Sequence, residues 1–252
     1  MSVYSIYFSP TNSTKEIVNF VANELGEYQE LDLSKNGQSF RQTFCAEDVC
    51  VIGVPSYGGR VPDVALKRMK ELKGDNTKAI FVAVYGNRAF EDTLKELSDT
   101  LKKQGFFGIA AIAAIAEHSI MHQFATGRPD AKDHEELKAF AKKIAEKLKE
   151  KESGKELQLP GNYPYREYNG VPLKPKAGRS CTGCGVCANL CPVGAISMEN
   201  PRKTDKNLCI SCMRCVEVCP NHSRKINTLM AKVAAKKMKA VCQERKENEL
   251  FI

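Results

Sequence analysis

The chain predicts an α/β fold: a five-stranded parallel sheet in the order 2-1-3-4-5, followed by a smaller C-terminal α+β segment. Two observations carry the first half. Short apolar runs alternate with amphipathic helical stretches over residues 1–150, the pattern of a parallel sheet covered on both faces. Right-handed crossovers then leave few topologies, of which 2-1-3-4-5 is the usual five-strand solution. A third observation carries the second half. Eight cysteines fall within residues 181–220, in two copies of C-x-x-C-x-x-C-x-x-x-C-P offset by 28 residues.

The elements follow in order. VYSIYFS (3–9) is a short apolar strand. KEIVNFVANEL (15–25) places Ile17, Val18, Val21, Ala22 and Leu25 on one helical face. QELDL (29–33) is a second strand and VCVIGVP (49–55) a buried third, followed by a helix near 64–72. KAIFVAVYG (78–86) is the fourth strand, 90–104 a helix, and FGIAAIAAIA (107–116) the fifth strand. The helix 134–151 closes the unit with a stripe of Leu137, Phe140, Ala141, Ile144 and Leu148.

In such sheets the ligand sits at the carboxyl ends of strands 1 and 3. The loop there is SPTNST (9–14), and it opens a helix. Ser9, Thr11, Asn12, Ser13 and Thr14 offer hydroxyls, an amide and backbone N–H groups at a positive dipole end, which suits a phosphate monoester. One N-cap needs one such side chain; this loop has five. No G-x-x-x-x-G-K-[ST] and no G-x-G-x-x-G on a strand–helix turn is present.

SPTNST resembles the phosphate loop of flavodoxins, which bind FMN. The resemblance covers roughly residues 1–150 and implies two further flavin loops, PSYGGRVP (55–62) and YGNRAFED (85–92). It brings in Pro55, Ser56, Tyr57, Gly58 and Gly59 from the first, and Tyr85, Gly86, Asn87 and Arg88 from the second. Tyr57 and Tyr85 stand where aromatics flank a flavin ring; the chain has no Trp for that role. The resemblance also implies that the Tyr57–Gly58 peptide can flip toward a reduced flavin. The alternative is that both glycines complete a tight turn. Arg60 and Arg88 face a flavin edge, a partner or solvent.

The cysteine repeat is a ligand pattern for iron–sulfur cubes. Disulfides suit secreted chains, and zinc sites lack the third Cys and the C-P ending. The segment from about Gly178 to Asn227 resembles a bacterial-type ferredoxin with two 4Fe–4S clusters. In two-cluster ferredoxins the distant Cys ligates the other cluster. Cys181, Cys184, Cys187 and Cys219 then hold one cluster, and Cys209, Cys212, Cys215 and Cys191 the second.

As a whole the chain resembles the flavodoxin–ferredoxin fusion proteins of anaerobic bacteria and archaea, generally regarded as electron-transfer proteins. The expected layout is a flavodoxin-like domain (1–151), a Pro/Tyr-rich linker (152–177), a two-cluster ferredoxin domain (178–228) and a C-terminal helix (229–252). The implied function is electron transfer between the clusters, FMN and redox partner proteins. The alternative is an FMN-dependent reductase of a quinone, nitro compound or activated alkene. An open pocket over the flavin favours the enzyme, and a flavin edge buried beside the clusters favours the carrier. No catalytic constellation is legible.

Composition narrows the partners. Of 252 residues 42% are hydrophobic, enough for a core. Residues 1–150 carry 20 Lys+Arg against 21 Asp+Glu, so the net charge of +8 arises in the ferredoxin half. That excess points to an acidic partner surface. No nucleic-acid motif is present, and a homodimer stays open. No run of about 18 apolar residues and no signal peptide is visible, and eleven Cys imply a reducing compartment, so a cytoplasmic location without membrane contact is expected.

The remaining features carry weaker expectations. Cys45, Cys50 and Cys242 read as buried thiols. Tyr163, Tyr165 and Tyr168 in the linker are expected to pack on a domain surface rather than cover a cofactor. In the tail helix, Ile226, Met230, Val233 and Val241 are expected to form the apolar stripe. His118 and His122 lie on the flavin side, with structural or solvated roles favoured over ligation.

Overall fold

The computed structural model describes residues 2–150 and 157–252. β1 (Val3–Tyr7) leads into α1 (Ser13–Leu25) and β2 (Tyr28–Asp32). A short β3 (Gln42–Phe44) precedes β4 (Val49–Pro55), α2 (Asp63–Met69) and β5 (Leu72–Gly74). Then come β6 (Thr77–Tyr85), α3 (Thr93–Lys102), β7 (Phe106–Ile115) and α4 (Ala131–Lys149).

The main sheet contains β2-β1-β4-β6-β7, all parallel, with α1 and α4 on one face and α2 and α3 on the other. The core strands read as near-continuous apolar runs because both faces are covered. Ile17, Val18 and Val21 of α1 meet Leu137 and Ile144 of α4 beneath one face. Gly53 in β4 lets α1 lie close on the sheet, since a Cβ there would stand 2.2 Å from Val18 Cγ2. α4 starts three residues before the expected boundary because Asp130 and Asp133 form a reciprocal capping box.

After the strap of residues 157–175, the cysteine segment is built from β8 (Lys176–Ala177), α5 (Val186–Asn189), α6 (Arg214–Glu217) and β9 (Arg224–Lys225). β8 and β9 pair antiparallel and tie its ends together. Its apolar core is small: Cys187, Ala188 and Ile196, with Cys215 against them. A segment of this size needs ligand bonds or another staple to hold its shape.

The C-terminus corrects the expectation of a helix running over 229–252. α7 (Thr228–Cys242) stops, and the chain returns as β10 (Glu249–Phe251), antiparallel on the edge of β7. The sheet thus has six strands rather than five. Asn248 fixes the return, its Oδ1 accepting the Ile115 N–H at 2.9 Å. The buried side of α7 also differs from the expected stripe. Ala231, Ala234, Ala235, Met238 and Cys242 pack against Met121, Phe124 and Leu173, while Val233 and Val241 are exposed. Among the described residues no helix is long and apolar enough to cross a membrane.

The two halves touch through specific polar contacts. Arg68 donates to Pro192 O at 2.6 Å and to Leu33 O at 2.6 Å. Arg214 donates to Ser9 O and Pro10 O. Within the second half, Lys174 of the strap donates to Cys209 O.

Candidate functional site

A cavity of about 290 Å³ lies at the carboxyl ends of β1, β4, β6 and β7. Its floor and walls include Thr11, Ser13, Thr14, Pro55, Ser56, Tyr57, Gly58, Tyr85, Gly86 and Arg88 from the three expected loops. The other expected residues serve around it. Ser9 Oγ accepts the Lys15 N–H (2.9 Å), and Asn12 adopts left-handed backbone (φ 67°) at the start of α1. Gly59 O accepts the Asp92 N–H. Asn87 is buried facing away, its amide donating to Cys242 O and Glu244 O (2.8 and 2.7 Å).

The SPTNST loop is built as an anion cradle. Asn12 makes no side-chain cap, and the N–H groups of Thr11, Asn12, Ser13 and Thr14 have no partner among the described residues. Free N–H groups at a helix N-terminus beside a cavity fit a phosphate. The residues present therefore fit FMN.

The next loop turns tightly. Tyr57 N–H donates to Arg60 O (2.9 Å) and Arg60 N–H to Tyr57 O (3.3 Å), across Gly58 and Gly59 at φ 61° and 85°. Both central residues need positive φ, the glycine signature of this turn. Tyr57 O is thus already engaged, which favours the tight-turn reading over a free flip. Arg60 is not a flavin or solvent cation: it binds Glu96 and Arg166 O. Tyr85 is 5% exposed, its ring 5.4 Å from that of Phe90, so it is part of the cavity floor. Arg88 lines the cavity and pairs with Glu91.

The roof comes from parts of the chain that carry no flavodoxin signal. Tyr168, Val171, Pro172 and Leu173 of the strap, Ile210 and Ser211 of the cysteine segment, and Met230, Ala234 and Met238 of α7 all line the cavity. Tyr168 overturns the expectation that the linker tyrosines only pack on a surface. Its ring lies over Gly58, where a Cβ would fall 2.2 Å from Tyr168 Cδ2. Tyr57 sits beneath the same roof. Burial pushes its hydroxyl well above the usual tyrosine value, and Cys212, Tyr168 and Cys209 add to the rise. Tyr57 thus lines the same cavity as Ile210 and Ser211 of the second motif.

His118 also lines this cavity, packed against Gly86. Burial lowers its pKa to about 4, so the ring is neutral, and Nδ1 accepts the N–H groups of Ile120 (3.2 Å) and Met121 (3.3 Å). His122 instead meets Glu117 at 2.6 Å and is exposed. The two histidines do not act as a pair.

The cysteines gather as two groups. Cys181, Cys184, Cys187 and Cys219 surround one small void together with Arg224. Cys212 and Cys215 both feel the charge of Cys191 and Cys209, and Cys215 also packs against Cys187 of the first group. The two motifs repeat in backbone as well as spacing. Gly183 and Gly185 are left-handed (φ 75° and 77°), and so are Ser211 and Met213 (φ 57° and 64°), 28 residues on. Non-glycine residues rarely take this conformation, so the loop shape outweighs residue preference. Cys191 Sγ accepts the Ala195 N–H and Cys219 Sγ the Ser223 N–H, each at 3.3 Å.

The surroundings of the cysteines differ. Burial pushes the Cys212 and Cys215 thiols up to about 12. For Cys219, burial is outweighed by N–H donors of Ser223, Arg224 and Asn221 and by the Arg224 charge, which hold it below the usual thiol value. Arg224 is 1% exposed, and its buried Nε has no partner among the described residues. Among those residues no three His, Cys, Asp or Glu side chains converge on a single metal ion. The four cysteines around the void of the first motif fit one cube, whose corners need four thiolates. Of the three remaining cysteines, Cys50 and Cys242 are buried as expected, but Cys45 is exposed and donates to Asp48 Oδ2 at 3.2 Å.

Residues 180–223 match the model of a 4Fe-4S dicluster domain. An uncharacterized ferredoxin of Methanocaldococcus jannaschii is 33% identical over 90 residues, which are 32% of this chain and 58% of that relative. The chain thus spans a little over half the length of that curated relative. Flavodoxin 1 from Bacillus cereus is similar in structure at a TM-score of 0.44 and 15% identity, over 58% of this chain and 98% of that one. An NADH:FMN oxidoreductase is similar at 0.45 and 11%, over 60% and 92%. With β2-β1-β4-β6-β7 in its first half and the dicluster match in its second, the chain is built as a flavodoxin-like domain fused to a 4Fe-4S ferredoxin domain.

Proposed function

We propose that the protein transfers electrons between two 4Fe–4S clusters, one FMN and redox partner proteins. The single observation that carries this reading is the roof: the second cysteine motif supplies Ile210 and Ser211 to the cavity at the carboxyl ends of the sheet. FMN exchanges one electron or two, while each cube exchanges one, so the pair interconverts the two kinds of transfer. The chain's own work is to hold the centres together at high effective concentration, orient them and exclude water.

The residues divide that work. The N–H groups of Thr11–Thr14 bind the phosphate, and Tyr57, Tyr85 and Tyr168 supply apolar walls for the ring. Cys181, Cys184, Cys187 and Cys219 form the outer cage, of which Cys184 is exposed. Cys191, Cys209, Cys212 and Cys215 form the inner cage beside Tyr57. This arrangement supports a route from an outside donor or acceptor through the outer cage, then the inner cage, to the flavin. The basic surplus of the ferredoxin half supports an acidic partner at the outer end.

The alternative, reduction of a small organic acceptor, needs free space over the ring. Tyr168, Met230 and Met238 stand in that space, which favours the carrier. The testing experiment is anaerobic titration with a one-electron donor, following clusters and flavin separately by spectroscopy. The carrier reading expects both to be reduced within one chain. Rapid turnover of quinones or nitro compounds by the reduced chain would favour the reductase instead.

A further inference from the structure

Arg214 stands between Cys212 and Cys215, in the middle of the inner cage motif. Its Nη1 donates to Ser9 O at 3.2 Å and Pro10 O at 3.4 Å, two carbonyls of the phosphate loop about two hundred residues away. Its Nε is buried with no partner among the described residues. The other cation at this loop, Lys15, is bound to Glu30 at 2.9 Å.

The contact has a directional consequence. In a trans peptide the C=O and N–H point in opposite directions. The Pro10–Thr11 peptide is trans, since the cis bonds of the described chain are Arg128–Pro129 and Tyr163–Pro164. A guanidinium that holds Pro10 O therefore turns the Thr11 N–H away from itself, and Pro10 and Thr11 both line the cavity. Arg214 itself follows Met213, whose left-handed backbone (φ 64°) belongs to the ligand loop. A loaded cage fixes that backbone and with it the reach of the guanidinium.

We propose that Arg214 is a positioning residue that couples the two cofactor sites: it sets the phosphate loop for an anionic flavin, so that loading of the inner cage and affinity for the flavin phosphate depend on each other. This rests on the flavin reading above. Coupling is reciprocal by thermodynamic necessity, so bound FMN should in turn help the cage retain iron.

The test uses the full chain purified anaerobically with its iron, and equilibrium dialysis against FMN and against riboflavin, which lacks the phosphate. Arg214→Gln should weaken FMN about tenfold, the scale of one charge-assisted hydrogen bond, and riboflavin less than about twofold. Arg214→Lys should stay within about threefold of wild type for FMN. Cys212→Ser, which leaves Arg214 and the loop intact, should also weaken FMN more than riboflavin. This arm stands even if the Gln variant fails to load iron. Unchanged FMN affinity in Arg214→Gln with its iron retained, or equal losses for both flavins in either variant, would overturn the proposal. A wild-type chain that does not prefer FMN to riboflavin would instead overturn the phosphate-site reading itself.

Discussion

Replacing Asp133 by asparagine should destabilise the protein by about 3–5 kcal/mol, the range for leaving a buried charge without its partner. The side chains of Arg128 and Asp133 are 4% and 0% exposed. The carboxylate accepts the Arg128 Nε–H and the Asp130 N–H at 2.8 Å, and the Asn248 amide at 3.0 Å; Arg128 Nη2 closes the fork. An amide keeps the size and one acceptor oxygen but not the charge, so the buried guanidinium loses its paired carboxylate and keeps Lys246 O and the field of Asp130. Burial alone would raise the Asp133 carboxyl, but Arg128, the Asp130 N–H and the Asn248 amide outweigh it and hold it below its usual value. A carboxyl depressed in the folded state stabilises above its unfolded value of about 3.9, and that stabilisation is lost as pH falls through the folded value. Urea unfolding followed by far-UV circular dichroism, repeated from neutral to acid pH, reads both effects. The wild type should weaken in that acid window more steeply than Asp133→Asn. The double variant Arg128→Met/Asp133→Asn should cost less than Asp133→Asn, because no uncompensated cation remains. A single-variant loss below about 1 kcal/mol, or a double variant costing the sum of both singles, would refute the argument.

Three further outcomes follow from the site. Anaerobically purified protein should hold about eight iron, eight acid-labile sulfide and one FMN per chain; zinc, or FAD in place of FMN, would contradict it. Cys219→Ala should damage the cluster on Cys181, Cys184 and Cys187, read by resolved cluster spectra, and loss confined to the Cys209 cluster would reject the crossed ligation. Tyr168→Ala should weaken FMN roughly tenfold with iron content unchanged, the scale of one removed aromatic contact, and Gly58→Val should do the same by displacing that ring from a left-handed turn; unchanged affinity in both would show that the strap is not a roof.

What the sequence revealed was whatever local pattern controls. The parallel strands announce themselves because both faces are covered, so each reads as an unbroken apolar run. The 4Fe-4S dicluster segment is legible because a cube dictates ligand spacing. The SPTNST loop stands out because five polar side chains exceed the needs of one helix cap. The roof was not legible, because Tyr168, Ile210 and Met238 acquire their role only when the halves meet, and nothing in the residues near each one signals that meeting. β10 was missed because three residues carry too little periodicity to separate a strand from a helix end. The role of Arg60 is hidden in the sequence for a similar reason: its partner, Glu96, lies far along the chain on α3. Asn87 looked like a flavin contact by position, yet its amide is spent on the carbonyls of Cys242 and Glu244, beyond the reach of any loop pattern.

The most direct test of the account is the rate at which the flavin is reduced after the clusters are rapidly reduced under anaerobic conditions. In the proposed function the flavin fills the cavity that Ile210 and Ser211 of the second cysteine motif line, so the rate constant should be first-order and unchanged over about a tenfold dilution of protein. A rate that falls in proportion to protein concentration, or clusters that stay reduced while the flavin remains oxidised, would contradict it.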